Sequence, residues 1–134
     1  MAKVNSSRLN FRGGAVVQAW EVQGANFSGP GPYLAVVRVS SQLPADETAK
    51  QYFAEVAQQL DSVGNDADLT VLSDGSPAAE WTKPDGFAAG SSDYYLYVKD
   101  GSSLYMVYLD ASSQDFPKAL DLAKPVMFNF KGTN

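Results

Sequence analysis

The segment from Asp93 to Asp110, DYYLYVKDGSSLYMVYLD, constrains the fold more than any other part of the chain. Two runs of aromatic and aliphatic residues, Tyr94–Val98 and Leu104–Leu109, flank the polar stretch Lys99-Asp100-Gly101-Ser102-Ser103, which is the signature of a β-hairpin. Both parities of both strands are apolar. Tyr94, Leu96 and Val98 share one face and Tyr95 and Tyr97 the other, while Leu104, Met106 and Tyr108 oppose Tyr105, Val107 and Leu109. A sheet wetted on one side alternates more cleanly. The hairpin is therefore expected in the middle of a sheet covered on both faces, with the covers supplied by the rest of the chain.

Those covers are visible in the hydrophobic spacing. After Leu43-Pro44-Ala45-Asp46-Glu47, taken as a helix opening, Ala49, Tyr52, Phe53, Val56, Ala57, Leu60 and Val63 follow the i, i+3, i+4, i+7 rule as far as the stop at Gly64. A second helix is capped by Ser112 or Ser113, starts near Asp115 because Pro117 fits only a first turn, and sets Phe116, Ala119, Leu120 and Ala123 on one face. Pro125 is expected to end or kink it at Lys124, leaving Val126, Phe128 and Phe130 either in a kinked continuation or extended along the core. Strands are expected over Ala15–Val22, Tyr33–Ser40, Leu69–Leu72 and Ala78–Trp81, with loops at Gly24–Pro32 and Lys83–Ser92. The order β-β-α-β-β-β-β-α predicts an α+β fold: an antiparallel sheet of about six strands sandwiched between two helices.

A chain of 134 residues makes one domain, residues 1–134, with a polar start over residues 1–10 expected to fray. The net charge of −5 and scattered basic residues exclude a nucleic-acid role, which needs clustered Lys and Arg to neutralise phosphates. No apolar run reaches the roughly 18 residues of a membrane span, so a soluble chain without a transmembrane segment is expected. The opening MAKVNSSRLNF has no signal-peptide core. An extracytoplasmic location therefore implies an export signal or lipid anchor removed from the N-terminus, and the alternative is the cytoplasm.

The succession YLAVVRVSSQLPADETAKQYFAEVAQQL, LTVLSDGSPAAEWT, DYYLYVKDGSSLYMVYLDASSQDF and a final helix running to FNF resembles the PsbP-like superfamily over residues 33–130. That superfamily takes in photosystem II PsbP, LpqN-type lipoproteins and type VI effector chaperones. The resemblance implies an α/β/α sandwich and a non-enzymatic binding role. The chain departs from the family pattern in lacking its P-x-G-W opening and in carrying Pro125 within the last helix. With no His, it inherits none of the metal-binding positions of some PsbP proteins.

The absence of His and Cys removes Ser-His-Asp triads, cysteine nucleophiles and histidine-based metal sites. Gly29-Pro30-Gly31-Pro32 reads as a loop, because its prolines lack the amide hydrogens of a phosphate cradle. Asp61, Asn65, Asp66 and Asp68 read as helix-end turn chemistry, and Asp110 with Asp115 as capping of the last helix; no metal, cofactor or catalytic residue is expected. The binding candidates are the large aromatics Trp81, Phe87, Tyr95, Tyr97 and Tyr105. The expected function is a non-catalytic binding domain, the soluble part of an extracytoplasmic bacterial protein, taking a protein partner or hydrophobic ligand as a monomer or homodimer. Two alternatives stand beside it: a cytosolic chaperone holding an apolar helix of a secreted effector, and a small carboxylate-dependent enzyme.

Overall fold

A computed structural model describes residues 2–3, 14–29, 31–85 and 89–130. In chain order the elements are β1 (Ala2–Lys3), β2 (Gly14–Glu21), β3 (Tyr33–Gln42), α1 (Ala49–Ser62), β4 (Ala67–Val71), β5 (Pro77–Pro84), β6 (Ser91–Asp100), β7 (Ser103–Ser112) and α2 (Phe116–Phe128). The strands form one antiparallel sheet in the order β1-β2-β3-β7-β6-β5-β4. The protein is an α+β fold with seven strands among the described residues, where about six were expected. The addition is β1, whose Ala2 and Lys3 pair with Glu21 and Trp20 inside the stretch expected to fray; most of that stretch lies outside the described residues.

The hairpin sits where its two apolar faces require. β7 is the fourth strand of seven and β6 the fifth, and Leu96, Val98, Leu104 and Leu109 are fully buried. Its turn pairs Asp100 with Ser103, and Gly101 adopts a φ of +59°, the left-handed geometry that a two-residue hairpin loop demands. From β3 the chain crosses through α1 to the far edge, then returns as the meander β4-β5-β6-β7 until β7 meets β3. The two helices pack on opposite faces. One core joins Phe53 and Ala57 of α1 to Ala79, Trp81, Tyr95 and Tyr97, and the other joins Ala119, Ala123 and Met127 of α2 to Tyr94, Leu96 and Val107.

α1 differs at its start from the sequence expectation, and α2 takes the helical one of the two courses left open after Lys124. α1 begins after Thr48 and not at Pro44, because Thr48 and Gln51 complete a capping box: the Gln51 N–H donates to Thr48 Oγ1 at 3.2 Å and the Thr48 N–H to Gln51 Oε1 at 3.0 Å. At its other end Asp61 Oδ1 accepts the Ala67 N–H at 2.7 Å, so this acid sets the entry into β4. α2 runs through Pro125 to Phe128. Asp121 and Pro125 are both exposed, so the carbonyl that Pro125 leaves without a donor, one turn back, faces water.

Candidate functional site

α2 covers the sheet over β6 and β7 and stops short of β3 and β2. Its inner edge toward β5 is fixed by Lys124, whose Nζ lies 3.9 Å from Glu80 Oε1 and 5.6 Å from the centre of the Tyr94 ring. The Tyr94 hydroxyl donates to the same Glu80 oxygen at 2.6 Å. On the opposite edge the helix is tied at its start, where Asp115 accepts from Ser28, and the stretch from Leu122 to Met127 borders a gap.

The result is an apolar groove. Its floor is the register row Trp20–Leu34 and the neighbouring row Gln18–Val36–Val107, and its wall is Leu122, Val126 and Met127 of α2. One part has a volume of about 290 Å³ and the adjoining part about 430 Å³, and the two share Trp20, Leu34 and Val126. Val126 is 52% exposed, and Trp20 and Val36 are half-buried, so large apolar surface is open to water along the groove. Phe130 closes one end by packing edge-on against Tyr105, with ring centres 5.4 Å apart. Among the described residues no lining side chain is charged, and the polar groups include the amides of Gln18, Gln23 and Asn129 and the hydroxyl of Tyr105.

The five aromatics singled out from the sequence do not share one surface. Tyr105 lies on the α2 face and lines the groove. Trp81, Tyr95 and Tyr97 lie on the α1 face and are buried. Trp81 stacks on Tyr95 at 5.2 Å, and Tyr97 meets Phe53 edge-on at 5.5 Å while its hydroxyl lies 3.3 Å from that of Tyr52. Burial chiefly holds the Tyr95 and Tyr97 hydroxyls protonated well above their ordinary range. Phe87 lies outside the described residues. Trp81 also borders a cleft of about 390 Å³ with Asp66, Asp68 and Glu80 at the β4–β5 edge. Among the described residues no cluster of three or more acidic side chains is arranged to hold a metal ion.

Sequence reasoning missed the groove residues Leu34, Val36, Leu122 and Val126. It also missed a pair of acids. Asp93 and Asp110 are direct cross-strand partners on β6 and β7, and burial together with the neighbouring Asp110 carboxyl raises the pKa of Asp93. Asp115 does not join Asp110. It accepts the Ser28 N–H and hydroxyl, each at 3.0 Å, and these bonds hold its carboxylate below the usual range while tying the loop before β3 to the start of α2.

The fold and groove define an α+β domain in which the described residues cover one sheet face incompletely. Neither a protein-family model, nor a curated protein, nor a solved structure matches the chain.

Proposed function

We propose that this domain is a binding module whose groove beside α2 seats an apolar helix of a protein partner. The observation that carries the reading is the apolar groove that the described residues leave beside α2 over β2 and β3. Strands lie about 4.8 Å apart, so β3 and β2 together present about 10 Å of floor. That is the spacing at which a second helix packs beside a first, about 8–10 Å between axes. The uncharged lining favours an uncharged apolar face on the partner, and the net charge of −5 favours basic residues outside the contact.

In this reading the fold is a sandwich of the PsbP-like kind, and the domain is the soluble part of an extracytoplasmic bacterial protein. A cytosolic chaperone for a secreted effector would use the same helix-wide groove, and cell fractionation of the full-length protein separates the two.

The test uses a designed amphipathic peptide with leucines on one face and lysines on the other, titrated into the protein and followed by amide NMR shifts. Shifts are expected around Gln18, Trp20, Val36 and Val126. Val126→Glu should weaken binding at least about tenfold, since a charge would be buried against an apolar partner. Equal binding by Val126→Glu removes the groove from the reading. Saturation by an uncharged long-chain alcohol, with no response to the peptide, would keep the groove and overturn the helical partner.

A further inference from the structure

We infer that Asp93 and Asp110 form a proton-binding site, in which one proton shared between two carboxyl groups joins β6 to β7 at the open end of the hairpin. Asp93 is 0% exposed. Its Oδ2 accepts the Tyr95 hydroxyl at 3.1 Å, while its Oδ1 and the Oδ1 of Asp110 are both buried with no donor. Two ionised carboxylates are acceptors only and cannot hydrogen-bond each other. A proton between them supplies the donor that both orphaned oxygens lack, and it removes the repulsion of two like charges held side by side.

The surroundings favour that proton. Asp93 and Asp110 occupy a single register row that runs Lys83 on β5, Asp93, Asp110, Tyr33 on β3 and Glu21 on β2. Lys83 is the one cation in the row; it is exposed, so water screens its charge. Glu21 adds a negative charge at the other end. In the next row on the same face lie Tyr95 and Tyr108, whose hydroxyls stay neutral because burial pushes them well above their ordinary range. Burial first, then the hydrogen bond and the charge of Asp110, push Asp93 up to about 8. The pair therefore holds one proton and one net charge at neutral pH.

The sign of the linkage follows. An unfolded Asp loses its proton near pH 4, and the folded pair keeps one until about pH 8. Between these limits the folded state binds one proton more. The pair favours the native state fully at low pH, and that contribution falls as pH rises through the window, raising the unfolding constant by up to about tenfold per unit. Above about pH 8 the contribution is gone and the two charges push the strand ends apart.

Two measurements decide it. Carboxyl-carbon NMR of the folded protein should show the pair releasing a proton with a midpoint above about 6. A lower midpoint overturns the site. Urea unfolding from pH 4.5 to 8.5 should show the wild type losing stability with pH more steeply than Asp93→Asn or Asp110→Asn, because an Asn amide donates to the remaining carboxylate at every pH. A wild-type slope retained in both variants overturns it equally. Should either variant fail to fold, the wild-type NMR titration still decides.

Discussion

The two faces of the sheet solve the same burial problem with different side chains, and the groove is the product of that difference. On the α1 face a single register row carries Trp81, Tyr95 and Tyr108 on β5, β6 and β7, followed by Ala35 on β3 and Ala19 on β2. Three large rings lie in series, Trp81 on Tyr95 and Tyr95 6.1 Å from Tyr108, beside two small residues, and all five are buried. On the α2 face the matching positions of β2 and β3 hold Trp20 and Leu34, and Trp20 is left half-buried on the groove floor. Both faces are rich in aromatics; the difference is local, with rings from β5, β6 and β7 closing the α1 face while Trp20 lies beside the aliphatic Leu34 and Val36 on the groove floor.

The largest expected effect contrasts the two tryptophans. Trp81→Ala should cost about 3–5 kcal/mol, because it empties a buried stack that cannot collapse onto the alanines beside it. Trp20→Ala, from a half-buried ring facing the groove, should cost no more than about 2 kcal/mol, in proportion to the smaller apolar area it removes from burial. Urea unfolding of the two variants measures both. Equal losses would mean that the groove floor is as closed as the opposite face and would end the distinction between them.

A smaller effect is expected at the start of α1, which lies over the β4–β5 end of the closed face. Thr48→Ala removes one half of the capping box and should cost about 1 kcal/mol. Because α2 has no side-chain cap of its own, the groove should be untouched. Peptide binding by Thr48→Ala is expected at the wild-type level, and a coupled loss would show that the two faces are not independent.

Local chemistry made much of this legible in the sequence. The hairpin, its central place and the period of α1 followed from alternation and spacing among neighbouring residues. Even the acid pair had a signal: a turn that sets Asp100 opposite Ser103 sets Asp93 opposite Asp110 seven residues back, by counting alone. What hid it was a competing role for Asp110 beside Asp115 at the helix start. The groove had no such signal. Its floor comes from β2 and β3 and its wall from α2, about a hundred residues later, so its width depends on where α2 lands on the sheet. Pro125 left open whether the helix ended or continued, and it continues because both residues concerned face solvent.

The smallest expected effect sets one acid against another across the sheet. Asp93 is held protonated by burial and by Asp110, whereas Asp115 is held ionised by donors from Ser28 and Ser112. A carboxyl group whose folded pKa is depressed stabilises the protein above its unfolded pKa and loses that contribution as pH falls through the folded value. Asp115→Asn should therefore lower stability by a small constant amount above about pH 5, with no change of slope there, and flatten the acid limb, the opposite limb from that affected by Asp93→Asn. Circular dichroism across the two limbs resolves them. If Asp115→Asn altered the alkaline limb, the loop anchor at Ser28 and the proton-sharing pair would be one coupled network, and the two faces would communicate through the first turn of α2.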